Sequence, residues 1–495
     1  MPPVRGSVVL LALAFTVASA PGSARANGRF PRAERLLERE GDPNGLVLSA
    51  TYGLLFTGDR GGEWRHLCDL GFAFANAELD PMVGVFPDGS TIVKGIRSLN
   101  RAPPPGCAFE AVLGGEGTDT VADFTLDRSA PNRVLALLMD RGDDGGVENR
   151  VLESTDAART FAPLGVPLPE AEVTFGITLD VAPSDPQRLY VTATGRDVAD
   201  VFVRSDDGAA TWSTTPLALD ADENPYIAAV HPANADAVYV RTDLWAATPD
   251  GYYEANDGLF YSDDGGTSFR EIFRAKAKLF GFALSPDGSE VLVGYGDPVD
   301  PGGRLVDPAA LGIYRARTAD FAFEKIYDGG VSCLSWTSTG LYVCTSQEER
   351  GFALGFSPGP DFDLGVADPF TPLLDLRNVA GPLECPACSS GASCAESWAT
   401  TCAVLGSCDA GVATGGTSGG NCAGAGGAST GAGGAPGGAS GTGAMAGGGA
   451  GGSGGAAKTD GSCGCRAAGG ATRERPWFGL FLILACACRI VRRRE

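Results

Sequence analysis

Ser205-Asp206-Asp207-Gly208-Ala209-Ala210-Thr211-Trp212 and Ser262-Asp263-Asp264-Gly265-Gly266-Thr267-Ser268-Phe269 are two copies of one octapeptide. Two more copies are Thr57-Gly58-Asp59-Arg60-Gly61-Gly62-Glu63-Trp64 and Ser154-Thr155-Asp156-Ala157-Ala158-Arg159-Thr160-Phe161. Each reads as the turn of a β-hairpin. The hydroxyl of Thr57, Ser154, Ser205 or Ser262 and the carboxylate of Asp59, Asp156, Asp207 or Asp264 accept backbone N–H groups inside the turn. Glycine supplies the positive φ, and Trp64, Phe161, Trp212 or Phe269 opens the returning strand and packs inward. Ala158 and Ala209 stand where the pattern has glycine, so those two turns are expected to be less regular. These residues are structural. A calcium loop is the alternative for Asp206-Asp207 and Asp263-Asp264, but the turn consumes one carboxylate and no Glu closes the site.

Working outward, a second feature recurs roughly thirty residues before a turn: an apolar strand, a Pro/Asp/Asn/Gly turn and another apolar strand. Its copies are Val181-Ala182-Pro183-Ser184-Asp185-Pro186 before Leu189, Val230 to Asp236 before Val238, and Leu284-Ser285-Pro286-Asp287-Gly288 before Val291. A unit is therefore four strands. Asp156, Asp207 and Asp264 follow one another at 51 and 57 residues, whereas 97 residues separate Asp59 from Asp156 and leave room for one more unit. Phe86-Pro87-Asp88-Gly89 supplies its first hairpin, and Ser98-Leu99-Asn100 with Gly106-Cys107-Ala108-Phe109 its stretched turn. Two further units end near Thr318-Ala319-Asp320 and near Ser357 to Gly365. Seven four-stranded units predict an all-β chain folded as a seven-bladed β-propeller over 27–380, the architecture that buries every sheet face. A six-bladed ring is the alternative if one degenerate unit is a false count.

The octapeptide resembles the Asp-box of the BNR repeat found in sialidases and sortilin-like propellers. Asn27-Gly28-Arg29-Phe30-Pro31 resembles the start of a family of exported BNR-repeat propellers that carry a sorting tag. Labels in that family describe the repeat rather than an activity. A sialidase would need an arginine triad, a Tyr/Glu pair and an Asp acid/base at the ring axis. Arg29-Phe30-Pro31-Arg32 does not supply the first arginine in register, and Arg97, Arg204, Arg241 and Arg315 recur near strand ends as the remaining candidates.

The two ends of the chain carry addresses. Arg5, the apolar run Val8 to Ala18 and Ala24-Arg25-Ala26 form a secretory signal peptide over 1–26, too short in its apolar run for a membrane anchor. A Gly/Ala/Ser tract over 409–460 cannot bury a core and serves as a flexible stalk. It leads to Gly461-Ser462-Cys463-Gly464-Cys465, a hydrophobic segment 477–488 and Arg492-Arg493-Arg494. Residues 461–495 resemble the MYXO-CTERM sorting tag, which implies processing, lipidation at Cys463 or Cys465 and display on the outer-membrane surface, or release from it. An unprocessed single-pass helix is the alternative.

An exported chain with 14 cysteines is expected to be oxidised. A two-residue turn at Ser338-Thr339 sets Cys333 opposite Cys344, which predicts a hairpin disulfide. Cys68 and Cys107 sit at equivalent fourth strands and are expected to staple adjacent blades. Cys385, Cys388, Cys394, Cys402 and Cys408 make a small Cys-rich cap over 381–408 with a helix from Ala395 to Leu405; a zinc site is the alternative there.

With 38 Lys+Arg against 60 Asp+Glu, the net charge of −22 excludes a phosphate-backbone footprint, so no nucleic acid is expected. His66 and His231 are the only histidines, which leaves little material for His-based catalysis or metal sites, and no cofactor is expected. These readings converge on a non-catalytic surface propeller that binds a glycan, peptide or protein through its longest loops. Those loops are Ala246 to Gly258, with Tyr252 and Tyr253 as aromatic contacts, and Asp297 to Pro308. A secreted sialidase-like glycoside hydrolase or an envelope assembly factor are the alternatives. Replacing Cys463 and Cys465 by Ser is expected to move the protein from the membrane fraction into the medium; unchanged fractionation by immunoblot would count against a lipid anchor.

Overall fold

The computed structural model describes residues 31–74, 82–114, 120–141, 146–196, 199–220, 223–247, 253–297, 304–362 and 368–408. The segments expected from sequence to be signal peptide, stalk and tag, with Cys463, Cys465 and the 477–488 stretch, lie outside them, as does Tyr252. Seven antiparallel sheets follow in chain order: blade 1 over 33–67, blade 2 over 82–114, blade 3 over 120–163, blade 4 over 173–216, blade 5 over 223–275, blade 6 over 278–328 and blade 7 over 331–374. The degenerate units are complete blades. The first strands of the blades stand side by side around the axis, and the fourth strands form the rim.

Why these strands are strands is plain in blade 4. Leu189-Tyr190-Val191-Thr192-Ala193 is apolar but for Thr192 because a second strand is covered on both faces by neighbouring blades; all five residues are buried, and the Thr192 hydroxyl donates to Pro225 O at 3.1 Å. The outer strand Ser213–Pro216 sees solvent and is polar. Extra strands Tyr253–Ala255 and Arg304–Leu305, from the long connections of blades 5 and 6, pair in parallel and join the sheet of blade 5.

The innermost strands share a feature the sequence did not announce. In six blades the innermost strand skips residues in its pairing with the second strand: Glu34, Ala122, both Thr174 and Ile177 in blade 4, Ala228, Phe280 and Ser332. A bulge bends a strand and frees backbone groups beside it. Polar side chains of the preceding blade take up the N–H next to the bulge: Asn149 Oδ1 accepts from Gly176 at 2.9 Å, Thr178 Oγ1 from Ile227 at 3.0 Å and Asp257 Oδ2 from Leu279 at 2.9 Å. Each bond crosses a seam between blades.

The four principal strands of every blade come from contiguous chain, so no blade needs the other end of the chain to complete its four strands. Closure falls to contacts between blade 7 and blade 1 and to the segment that follows blade 7. Ser332 Oγ donates to Ala33 O at 2.7 Å, Thr339 Oγ1 to Glu38 at 2.9 Å and Trp64 Nε1 to Leu373 O at 3.1 Å. Gly381–Pro382 then adds a fifth strand, parallel to the rim strand Arg65–Leu67 of blade 1. The helix Ser393–Leu405 packs Trp398, Cys402 and Leu405 into the core shared by blades 7 and 1.

The disulfides complete this strap. Cys333 and Cys344 are directly paired and bonded. Cys68 is not bonded to Cys107: Cys68 joins Cys394 and Cys107 joins Cys385. The reason is geometric. Cys68 follows the rim strand of blade 1, whereas Cys107 precedes that of blade 2, and the strap lies between them, with Gly391 N donating to Cys107 O at 2.8 Å. The cap cysteines therefore reach outward to the blades. Cys402 pairs with Cys408, and Cys388 is also disulfide-bonded. With 326 residues between its ends, the Cys68 to Cys394 bond closes a loop as long as the ring itself. Cys68→Ser with Cys394→Ser is expected to lower stability by about 3 to 5 kcal/mol, measured by thermal or urea unfolding, whereas Cys333→Ser with Cys344→Ser, which closes only a hairpin, costs less.

Candidate functional site

The antiparallel order gives the ring two unlike faces. Turns between first and second and between third and fourth strands emerge on one face; second-to-third loops and blade-to-blade connections emerge on the other.

The turn face is internally saturated. In blade 4, Ser205 Oγ accepts from Ala209 N at 2.8 Å, Asp207 Oδ1 from Thr211 N at 2.8 Å, and Asp207 Oδ2 from the Thr211 hydroxyl at 2.7 Å. The same pattern holds for Ser154 and Asp156 with Ala158 and Thr160, and for Ser262 and Asp264 with Gly266 and Ser268. In blade 1, Thr57 and Asp59 accept from Gly61 and Glu63. Ala158 and Ala209 do not loosen their turns: they adopt φ of 58° and 68°, close to Gly266 at 85°, and keep the same bonds. The turn geometry outweighs the cost of a left-handed alanine. Trp64 is buried, and Phe161, Trp212 and Phe269 are half-buried. Both oxygens of Asp156, Asp207 and Asp264 accept hydrogen bonds within their own turns.

Arginines rivet this face from blade to blade. Arg101 Nε donates to Ala157 O at 2.8 Å, Arg133 Nη1 to Pro186 O at 2.9 Å and Arg188 Nη1 to Asp236 Oδ1 at 2.6 Å. Arg204 reaches Asp264 O at 3.3 Å, and Arg315 reaches Asp361 at 3.2 Å. Two of the arginines singled out by strand-end position are thus seam residues, not axial ligands. His231 Nε2 lies 3.1 Å from Gly288 O and bridges blades 5 and 6 in the same way.

The loop face presents different chemistry. At the mouth of the axial channel, Arg32 lies 4.7 Å over the ring of Phe280 and pairs with Glu34 at 3.1 Å. Arg241, a sequence candidate, lies 4.8 Å over Tyr226. Phe175, in the innermost strand of blade 4, is 37% exposed, unusual for a phenylalanine inside a ring. Tyr253 sits in the strand Tyr253–Ala255 above blade 5; Arg97 occupies the second-to-third strand turn of blade 2.

Beneath the blade 5 and 6 loops lies a buried charge network. Glu223 accepts from Thr242 Oγ1 at 2.5 Å and from Arg274 Nη2 at 2.8 Å. Asp257 accepts from Leu244 N and pairs with Lys278 at 3.0 Å, and Lys278 also pairs with Asp243. Buried charges persist only when so satisfied. The network fixes the base of the loops.

Deeper in the channel, on blades 1 to 4, stand Arg35, Lys94, Asp123 and Asp180. Burial pushes the Asp123 carboxyl up to about 6, against the backbone N–H of Leu179 at 2.8 Å and the charge of Lys94. Asp180, also raised by burial, accepts from Thr125 Oγ1 at 3.0 Å and from its neighbour Val181 N at 2.8 Å. The spacing-based reading missed this group. Its only trace in sequence is a charged residue interrupting an apolar innermost strand, as in Val121-Ala122-Asp123-Phe124 and Leu179-Asp180-Val181.

No family model and no curated protein matches the chain. The seven sheets themselves define its class, a β-propeller. Among solved structures, an ancestral GH74 enzyme aligns at a TM-score of 0.44 and 14% identity, covering 63% of this chain and 40% of its own. The GH74 xyloglucanase from Xanthomonas campestris aligns at 0.33 and 15%, covering 66% and 63%. An oligogalacturonate lyase in complex with manganese aligns at 0.38 and 12%, covering 62% and 79%. This chain spans less than half of the first of these, and at such identities the likeness is one of fold.

His66 marks the strap's weak point in acid. It is buried between the rings of Tyr52 and Trp398, with Nε2 donating to Tyr52 O at 2.9 Å and Nδ1 without a partner. Burial holds its pKa at about 4, below the ordinary 6.5. The unfolded chain therefore takes up a proton first, and stability falls as pH drops from 6.5 towards 4, by about 3 kcal/mol. Urea midpoints between pH 7 and 4.5 are expected to show this slope, and His66→Gln to flatten it.

Proposed function

We propose that this chain is a non-catalytic binding propeller, exported and held at the cell surface, that takes a glycan at the loop-face mouth of its channel. The observation that carries the reading is the set of aromatic faces there: Phe175 open to solvent, and Tyr226 and Phe280 each backed by an arginine. Flat aromatic faces beside planar donors suit sugar rings, which offer an apolar face and a rim of hydroxyls. The carboxylates nearby are committed elsewhere. Glu223 and Asp257 hold the loop base, Asp123 accepts from Leu179 N across a seam, and Asp180 accepts from the Thr125 hydroxyl across the same seam and from its neighbour Val181 N. A glycosidase needs two carboxylates free to meet the scissile bond. The Asp-box likeness of the turns accords with a rigid scaffold, and the tag-like C-terminus with display on the outer membrane. One observation favours a glycoside hydrolase instead: a carboxyl at about 6, as at Asp123, suits a general acid.

The two readings separate by incubating residues 27–410 with a panel of envelope and host glycans and reading retained and cleaved species by mass spectrometry. Retention without cleavage is expected. Cleavage would overturn the binding reading in favour of Asp123 chemistry, and neither outcome would leave protein partners, the assembly-factor reading.

A further inference from the structure

Two of the bonds that fasten the strap are nested across the whole ring. Cys68 joins Cys394 and Cys107 joins Cys385, with sequence separations of 326 and 278, and neither pair is consecutive in the chain. Cys333 to Cys344 and Cys402 to Cys408, by contrast, join consecutive cysteines 11 and 6 residues apart. The two nested bonds flank one side chain. A Cβ at Gly391 would stand 2.7 Å from Cys385 Sγ, 3.0 Å from Cys107 O and 3.0 Å from Leu67 Cδ1, and one at Gly71 would stand 3.2 Å from Cys394 Sγ and 2.8 Å from the same Leu67 methyl. Gly391 of the strap is therefore the spacer between the end of blade 1's rim, Leu67-Cys68, and Cys107 of blade 2. Until the strap docks that spacer is missing, and Cys68 and Cys107 are consecutive cysteines 39 residues apart. Loop length alone favours this pair over Cys68 with Cys394 by roughly twentyfold. Order of synthesis favours it too, because Cys107 precedes Cys385 by 278 residues, on the order of 14 s or more of chain growth, within the range in which disulfides form. Cys385 and Cys394, nine residues apart, make the complementary wrong pair.

We propose that the strap bonds form by exchange from a Cys68–Cys107 and Cys385–Cys394 precursor, and that the partner of this chain in that step is a thiol–disulfide isomerase with an apolar peptide cleft. The inference is independent of the glycan reading and needs only an oxidising compartment. The exchange balances. A catalyst thiolate attacks Cys107 Sγ of the precursor, forming a mixed disulfide and releasing Cys68 as thiolate. Cys68 attacks Cys394 Sγ, forming the first native bond and releasing Cys385, whose thiolate attacks Cys107 Sγ of the mixed disulfide, forms the second and returns the catalyst thiolate. Three S–S bonds break and three form, with no net gain or loss of electrons or protons. All nine described cysteines are bonded in the finished fold, so a chain oxidised in the wrong pairs retains no thiolate among these residues to start the exchange. The apolar cleft follows from what the strap covers. Leu67, Phe72 and Phe109 share one core with Leu383, Cys385 and Cys394, and this core lacks a wall until the strap docks.

The experiment is oxidative refolding of the reduced, urea-denatured full chain, at high dilution, with diamide, an oxidant that releases no thiol, and then with protein disulfide isomerase in a glutathione buffer added. Free thiols are blocked with N-ethylmaleimide at each stage, and the linked peptic peptides are identified by mass spectrometry. Expected with diamide alone are Cys68–Cys107 and Cys385–Cys394, with Cys333–Cys344 formed in both stages as the internal control. The isomerase is expected to raise the Cys68–Cys394 and Cys107–Cys385 peptides tenfold or more at the expense of the wrong pairs. Cys107→Ser with Cys385→Ser removes the competing partners, so Cys68–Cys394 is expected to form in that variant with diamide alone. Native pairs formed by the parent to the same extent without the isomerase would overturn the proposal, as would wrong pairs that the isomerase leaves unchanged.

Discussion

The structure depends on one seam. Seven sheets that each fold from contiguous chain can stack into a ring, yet nothing within a blade prevents the stack from opening between blade 7 and blade 1. Propellers exist because every sheet face is covered by the next, so an open seam would expose two apolar faces at once. Here the seam is shut three ways: hydrogen bonds such as Ser332 to Ala33 near the axis, Trp64 to Leu373 at the rim, and a strap that continues past blade 7. The strap adds a strand to blade 1, buries Trp398 and forms two long-range disulfides. The disulfides act mainly on the unfolded chain by removing its freedom to separate the ends.

A division of labour between the faces follows from the same topology. Hairpin turns are short and must satisfy their own backbone groups, so the turn face spends its carboxylates and arginines on itself and on its neighbours. The loop face has longer connections and a channel mouth, and there aromatic rings and cations remain accessible. Asp207 and Arg35 illustrate the contrast: both are exposed and charged, but one has both oxygens hydrogen-bonded within its own turn and the other meets Asp123 and Asp180 only through electrostatic attraction. Exposure alone does not mark a site.

Much of the fold was legible in sequence. The octapeptides and the Pro/Asp hairpins gave four-stranded units because turns are local, and local hydrogen bonds are written by residues a few positions apart. The Cys333 to Cys344 bond was legible for the same reason, since a two-residue turn fixes the register. Ala158 and Ala209 were misjudged as loosening their turns because a φ near 60° is disfavoured for alanine in isolation and tolerated where four bonds demand it. The pairing of Cys68 and Cys107 was misjudged because equivalent positions in successive blades look adjacent along the chain, while the strap that separates them comes from the far end. Arg204 and Arg315 looked like axial arginines for want of knowing which end of each strand faces which side of the ring.

By itself the sequence determined the repeat, its strand count and the chemistry of each turn, all of which rest on contacts between near neighbours in the chain. Only the tertiary structure decided the disulfide partners of the blades, the burial of His66 beneath the strap, and the gathering of Arg35, Lys94, Asp123 and Asp180 at one channel. Those four residues come from four different blades, and no periodicity links them. Asp123 comes within electrostatic reach of the other three because consecutive blades 1 to 4 stack around one axis, a placement no local contact along the chain encodes.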